Sequence, residues 1–241
     1  MVSTAPDTSV QHLRKEAPWA LAYFAAFLLY LCGTLESEWR HWLSLVILPA
    51  ALVYWRRSRR WGAPAVRQVL AAFGLQTATL RNDLLWAFLL GIGLSWLQVY
   101  LSRDSQRMVL ALQSGKLLYL WPAAFALMLV TAGFTEEFFF RGLLQTRLQQ
   151  WLGSNAVAVL LTALLFGLYH LPYAYFHPRW PSHGNLAEAF ALAFGQGMPV
   201  GLILGTLYVR SQNNLLACVL VHAMINALPA ALLLEKMWNL E

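Results

Sequence analysis

The sequence predicts an all-α membrane protein, a polytopic bundle with about seven or eight transmembrane helices. Of its 241 residues, 59% are hydrophobic and 12% are charged, whereas a soluble domain carries about 25% charged residues. The mean hydropathy is +0.52. Apolar runs of about 20 residues, the length of one spanning helix, recur along the chain. Because a spanning segment must satisfy its backbone hydrogen bonds internally, these runs indicate helices.

Seven apolar segments are predicted to cross the membrane. Residues 1–16 are expected to form a polar cytoplasmic N-terminus, and 17–241 a single transmembrane domain. No small-residue cleavage site follows 17–33, so this first span is expected to remain as an anchor. Residues 64–80 are less apolar and are expected to form an interfacial or re-entrant helix. The predicted spans are 17–33, 39–55, 84–101, a segment that begins near Leu117, 156–170, 186–209 and 215–234.

Basic residues between the spans predict the orientation of the chain. Four arginines within 56–60 place that end of the second span in the cytoplasm, and therefore also the N-terminus. In a bacterium, this multi-pass protein would lie in the plasma (inner) membrane. The net charge of +6 suits anionic lipid beside the spans, so membrane lipid rather than nucleic acid is the expected partner. Cys32 and Cys218 lie in apolar segments and indicate neither a disulfide framework nor a thiolate metal site.

The stretch 131–142 places three charged residues inside the fourth apolar segment. Glu137 and Arg141 are four residues apart, so they share a helix face and can neutralise each other. Glu136 is rotated about 100° away and has no such partner in its own helix. Charged side chains at membrane depth are costly and usually serve a pathway or a reaction. A structural ion-pair network is the alternative interpretation for both glutamates.

Polar groups in two further spans are candidates for the same site. His222 and Asn226 share one face of the seventh span, and Phe166 and His170 have the same spacing in the fifth. At about 1.5 Å per residue from the turns, these groups and Glu136 can meet at one depth, nearer the cytoplasmic half. The alternative is that each histidine only satisfies a neighbouring polar group.

Such a set of side chains supports hydrolysis. A carboxylate can deprotonate a water molecule that a histidine orients, and a second histidine and an amide can stabilise an oxyanion. The chain has no His-Glu-x-x-His zinc motif and no Gly-x-Ser-x-Gly elbow. A zinc site built from Glu136, His170 and His222 stays open as the metal-dependent alternative.

Three motifs resemble those of the CAAX-processing and bacteriocin-processing (CPBP, or Abi) family of intramembrane endopeptidases, which includes the type II CAAX prenyl endopeptidase. They are Glu136-Glu137-x-x-x-Arg141, Phe166-x-x-x-His170 and His222-x-x-x-Asn226, in this order and each within an apolar segment. The resemblance covers about 117–234. It implies a helical membrane core with a conical cavity that opens toward the cytosol.

The resemblance also implies roles for the site residues. Glu136 would be the general base with His170, and His222 and Asn226 would form the oxyanion hole. Glu137, Arg141 and Phe166 would support them, and no cofactor would be needed. The substrate would be the C-terminal region of a protein or peptide, prenylated or not. A non-catalytic immunity or scaffold protein on the same fold, and a proton-coupled carrier, are the competing interpretations.

Overall fold

The computed structural model describes residues 8–34, 38–62, 66–75, 80–101, 105–178 and 180–238. Helices account for almost all of these residues, and no strand occurs among them. The predicted all-α fold is therefore confirmed. The helices are α1 (Thr8–Gly33), α2 (38–61), α3 (Val66–Ala71), α4 (Leu80–Leu101), α5 (Ser105–Gln113), α6 (Leu117–Leu152), α7 (Asn155–Phe176), α8 (Leu186–Arg210) and α9 (Leu215–Trp238).

Six helices in the described part of the chain are long and apolar enough to cross a membrane: α1, α4, α6, α7, α8 and α9. The protein is thus a polytopic helical membrane protein. The predicted second span, 39–55, is helical within α2 but is not among the six. Arg40 and His41 precede its apolar part and Arg56 and Arg57 follow it, so that its uncharged portion is short.

Three boundaries differ from the sequence expectation. Residues 8–16 belong to α1, so the described part of the expected polar terminus is helical. Helix α7 continues through Pro172 to Phe176, because membrane helices tolerate a proline whose freed carbonyl finds another partner. Within 64–80, α3 is followed by a turn that buries Phe73 completely. The parts 1–7, 64–65 and 76–79 lie outside the described residues.

Helix α6, which carries the acidic pair, is irregular where it passes the pair. Its backbone leaves the helical region at Thr131 (φ −86°, ψ −108°). A π-helical segment, Phe138–Gln145, begins directly after Glu137. π-helical turns contain an extra residue and frequently occur at functional sites. These two features set the direction in which the side chains between them point.

The core encloses the second half of α6. Every residue from 135 to 149 is buried, whereas much of Leu117–Met128 is exposed. Phe139 and Phe140 pack against Phe24 of α1, with ring centroids 6.3 and 6.0 Å apart. Helix α9 contacts both α4 and α6 and is the most buried of the six candidate spans. This packing fixes α6 between the N-terminal helix and α9.

Helices α7 and α8 approach closely at glycines that recur every four residues in α8, at 197, 201 and 205, a spacing that permits close helix packing. A Cβ atom added to Gly201 would lie 2.9 Å from the Cα atom of Ala163, closer than real contacts allow. A Cβ atom added to Gly205 would lie 2.9 Å from Gln145 Oε1 of α6 and 3.2 Å from Val159 Cγ1 of α7. The bare backbone of α8 also meets α6, since the Gly201 carbonyl accepts a hydrogen bond from Arg141 at 3.1 Å. The small residues therefore bring three helices together beside the acidic pair.

Candidate active site

The candidate residues of three helices converge on the acidic pair of α6. His170 lies on α7, and His222 lies on α9, one turn before Asn226. The side chain of Glu136 is 11% exposed and that of His170 is 20% exposed, while Glu137 and Arg141 are completely buried. The two adjacent glutamates therefore occupy different environments. Glu136 faces the accessible side of the cluster, and Glu137 faces its interior.

Glu137 forms a buried hydrogen-bond network with Arg141 and His222. Its Oε1 atom accepts a hydrogen bond from Arg141 Nη1 at 2.7 Å and lies 2.7 Å from His222 Nδ1. The guanidinium of Arg141 stacks 4.7 Å from the ring centroid of Phe166 and also donates to Gly201. The pairing of Glu137 with Arg141 that the four-residue spacing predicts is therefore present. It compensates two charges that would otherwise be very costly to bury.

Glu136 makes longer approaches to both histidines. Its Oε2 atom lies 3.9 Å from Nε2 of His222 and 4.0 Å from Nε2 of His170. These distances exceed a direct hydrogen bond. They equal the separation of two groups that one small polar molecule can bridge. One small polar molecule could therefore contact all three side chains.

Hydrogen bonds orient both imidazole rings. Nδ1 of His170 lies 2.7 Å from the carbonyl oxygen of Phe166, which can only accept, so Nδ1 carries the proton. In a neutral ring, Nε2 of His170 is then an acceptor directed at Glu136. Nδ1 of His222 likewise donates to the Glu137 carboxylate. Both rings therefore turn Nε2 toward Glu136.

Phe166 and Asn226 complete the predicted set. Phe166 is buried and packs edge-on against His170, with centroids 4.7 Å apart, and also near His222 at 5.9 Å. It thereby separates the histidines and supports Arg141. Asn226 is half-buried one turn beyond His222. Its amide has no hydrogen-bond partner among the described residues, so its donors are available to a ligand.

Several residues near the site were not predicted. The carbonyl of Gly201 accepts a hydrogen bond from Arg141. His41 of α2 lies 2.9 Å from the hydroxyls of both Tyr169 and Tyr173, beside His170 on α7. Arg147 of α6 is completely buried and bonds to Glu16 of α1. No local sequence pattern links residues this far apart, so only the fold reveals them.

Two further expectations from the sequence are a conical cavity around the site and, as an alternative, a metal site. No group of three His, Cys, Asp or Glu side chains in the described segments is arranged to hold a metal ion. A cavity of about 540 Å³ lies between Arg107 of α5, Lys116, and Glu235 of α9. None of its lining residues belongs to the candidate site. The conical cavity around Glu136 stays a prediction.

Comparison with known proteins relates part of the chain to a described family. Residues 118–228 match the family described as type II CAAX prenyl endopeptidase Rce1-like. No match was found among curated proteins or among solved structures. The matched segment contains all the predicted site residues on α6, α7 and α9, and it excludes α1 to α5.

Proposed function

Because residues 118–228 match the family described as type II CAAX prenyl endopeptidase Rce1-like, we propose that the chain belongs to this family and is an intramembrane endopeptidase. It hydrolyses a peptide bond near the C-terminus of a protein or peptide. The observation that carries this proposal is the position of Glu136. Its Oε2 atom lies within 4.0 Å of Nε2 of both His170 and His222.

The nucleophile in this proposal is a water molecule activated by Glu136. Two acceptors 4.0 Å apart, Glu136 Oε2 and His170 Nε2, can each receive a hydrogen bond of about 2.8 Å from one water. A carboxylate and a histidine in this relation can remove one proton as the water attacks. Glu136 is therefore the general base, and His170 orients the water and shares its proton.

The bond changes follow from this arrangement. The water oxygen forms a bond to the scissile carbonyl carbon, its proton passes to Glu136, and the carbonyl π electrons move to oxygen. When the tetrahedral intermediate collapses, the C–O double bond re-forms and the C–N bond breaks. The leaving amine takes the proton from Glu136. The products are a carboxylic acid and an amine, and the acid then gives its proton to the amine or to water and becomes a carboxylate. No cofactor enters the proposed reaction.

His222 and Asn226 are proposed to stabilise the oxyanion. The amide of Asn226 is a donor within one helical turn of His222. His222 can donate from Nε2 when its ring carries both protons, and the Glu137 carboxylate at 2.7 Å stabilises that charge. Removal of one oxyanion donor costs about 10²- to 10³-fold in kcat in other enzymes. Glu137 and Arg141 act through His222 and hold it in place.

The setting defines the substrate class and partners of the proposed enzyme. The site lies among helices that are apolar enough to span a membrane, so a substrate tail must enter from the bilayer or its surface. A prenylated C-terminus would partition there, which makes it the preferred substrate over an unmodified tail. Membrane lipid is the second partner. From the four arginines within 56–60 and the positive-inside rule, we propose that the N-terminus lies in the cytoplasm, and that in a bacterium the membrane is the plasma membrane.

Peptide cleavage by the purified protein tests the proposal. The protein in detergent is incubated with farnesylated and unmodified C-terminal peptides, with and without chelator, and the products are identified by mass spectrometry. We expect cleavage near the C-terminus that the chelator leaves unchanged. The Glu136→Gln and Glu136→Ala variants should abolish it.

The matched control is Glu188→Gln, because Glu188 is an exposed glutamate at the start of α8. This variant should cleave as the wild type does. Activity lost to chelator and restored by zinc would instead assign Glu136, His170 and His222 to a metal. Cleavage that survives Glu136→Gln would contradict the assigned base. Absence of cleavage of every peptide would favour the scaffold or immunity alternative.

A further inference from the structure

Arg147 links three parts of the chain from a completely buried position on α6. Its Nη1 atom donates to the carbonyl of Ala72 at 3.0 Å and to that of Gly142 at 2.7 Å. Its Nε atom donates to Glu16 at 3.1 Å. Its guanidinium also stacks 4.8 Å from the ring centroid of Phe73. One side chain therefore contacts α1, the turn after α3, and the backbone of α6.

Glu16 supplies the negative charge that compensates the buried guanidinium of Arg147. It is 3% exposed, and its two oxygens receive Arg57 of α2 at 2.7 Å and Arg147 at 3.0 Å. Removing one partner from a buried ion pair leaves an uncompensated charge and is strongly destabilising. Arg57 and Arg147 share the carboxylate, but Arg147 belongs to α6, whereas Arg57 belongs to α2. The two arginines can therefore be separated experimentally.

The contacts of Arg147 fall on the π-helical segment that carries Arg141. Phe138–Gln145 is π-helical, and Arg147 donates to the Gly142 carbonyl inside it. Thr146 donates its hydroxyl to the Arg141 carbonyl at 2.9 Å. A π turn holds one more residue than an α turn, which corresponds to about 100° of rotation. The location of the wide turn therefore sets the direction of Arg141 relative to Arg147.

We propose that Glu16 is a positioning residue for the catalytic cluster and acts through Arg147. Glu16 fixes the guanidinium of Arg147, which pins the π-helical segment by its carbonyls. That segment directs Arg141 to Glu137 at 2.7 Å, and Glu137 directs the ring of His222. Glu16 lies outside the segment that matches the protease family, so this chain recruits its own N-terminal helix to the site. The catalytic part of this inference rests on the proposed function.

The kinetic test compares Glu16→Gln with Arg57→Gln. Small displacements of catalytic groups can cost about 100-fold in rate, so Glu16→Gln should lower kcat by about 10- to 100-fold with KM unchanged. Arg57→Gln removes a charge from the same cluster but leaves Glu16 bound to Arg147. It should lower the thermal midpoint while kcat stays at the wild-type value. Glu16→Asp, which keeps the charge on a shorter side chain, should fall between wild type and Glu16→Gln.

A spectroscopic test does not depend on activity. With ¹⁵N-labelled histidine, the Nδ1–H signal of His222 reports its hydrogen bond to Glu137, and loss of this signal in His222→Gln assigns it. Glu16→Gln and Glu16→Asp should shift the signal, and Arg57→Gln should not. An unshifted signal in the folded Glu16 variants would overturn the inference. So would equal kcat losses in Glu16→Gln and Arg57→Gln.

The two tests also separate this inference from the proposed function. A wild type that cleaves no peptide, together with a shifted His222 signal in Glu16→Gln, would reject the protease proposal and retain the link from Glu16 to His222. A wild type that cleaves peptides, together with Glu16 variants that keep the wild-type kcat and an unshifted His222 signal, would retain the protease proposal and reject the link from Glu16 to His222.

Discussion

Helix α6 carries two buried clusters of charge, one around Glu136 and Glu137 and one around Arg147. In the second cluster the ionic groups touch, since Glu16 lies 2.7 Å from Arg57 and 3.0 Å from Arg147. In the first, Glu137 lies 2.7 Å from both Arg141 and His222. Glu136 stays 3.9 and 4.0 Å from the two imidazoles.

The two clusters differ in the spacing of their charged groups. Buried charges that touch recover part of their desolvation penalty and stabilise one arrangement. At Glu136, the separations of 3.9 and 4.0 Å from the imidazoles leave room for a small reactant between the side chains. The comparison therefore distinguishes Glu136, the proposed general base, from Glu16 and Glu137, whose short ion pairs stabilise one arrangement.

The largest effect is expected from Glu136→Gln. The change removes the general base but keeps the size of the side chain. We expect peptide cleavage to fall by about 10²- to 10⁴-fold, the usual contribution of general base catalysis. The thermal midpoint should change little, because glutamine keeps the size and polarity of the side chain. A large loss of stability with retained activity would mean that Glu136 stabilises the fold and is not the general base.

Arg141→Gln should produce the next largest effect. It leaves the Glu137 carboxylate buried without its cation, which costs about 3–5 kcal/mol of unfolding free energy when a buried pair is broken. Urea or thermal unfolding in mild detergent measures the loss. Arg210→Gln is the control, because Arg210 is exposed at the end of α8. It should unfold as the wild type does.

The double variant Glu137→Gln/Arg141→Gln sharpens this result. Removing both charges should restore part of the stability, since no uncompensated charge remains. Activity should not return, because His222 has lost the carboxylate that orients it. Recovery of both properties would show that the pair only stabilises the fold.

Local patterns in the sequence predict much of this molecule. Apolar run length identifies six of the seven predicted spans, and the four-residue spacing correctly pairs Glu137 with Arg141. The second span was overestimated because its charged ends leave a short apolar centre. The end of α7 was placed too early because Pro172 was taken to end the helix. The first error arises from charges in the sequence itself, whereas the second arises where tertiary surroundings override a local preference.

The contacts between distant elements could not be predicted in this way. The bond between Glu16 and Arg147 joins residues 131 positions apart, and His41 reaches Tyr169 over 128 positions. The π-helical segment of α6 has no local sequence pattern that would predict it. For the same reason, the motifs indicate that Glu136 and both histidines belong together, but only the fold supplies the distances that distinguish the two glutamates.

A smaller effect is expected from Gly201→Ala, which tests the packing of α8 beside Arg141 and Glu137. The new Cβ would lie 2.9 Å from the Cα atom of Ala163, so α7 and α8 must separate. Overpacking of this kind costs about 1–3 kcal/mol, and it should also weaken the bond from Arg141 to the Gly201 carbonyl. Gly195→Ala is the matched control, because its Cβ would meet nothing within 4 Å. Equal thermal midpoints for the two variants would contradict the close approach.

The smallest effect is expected at a third ion pair, which lies outside the buried clusters. Lys116 Nζ lies 2.8 Å from Glu235 Oε1, with side chains 37% and 19% exposed. The hydrogen bond to Glu235, together with the charge of that carboxylate, raises the pKa of Lys116 above its ordinary value of 10.5. The pair therefore stabilises the fold fully below that ordinary value, and the contribution is lost as the pH rises through the raised pKa.

Lys116→Met tests this last contribution. At neutral pH the variant should unfold slightly below the wild type, by less than Gly201→Ala does, because exposed pairs contribute little and are screened by salt. The difference should disappear in high salt and at a pH above the pKa of Lys116. A difference that persisted under both conditions would mean that the lysine acts through packing of its aliphatic chain. We expect this exposed pair to contribute less to the free energy of unfolding than the two buried clusters on α6, because water can replace its short contact.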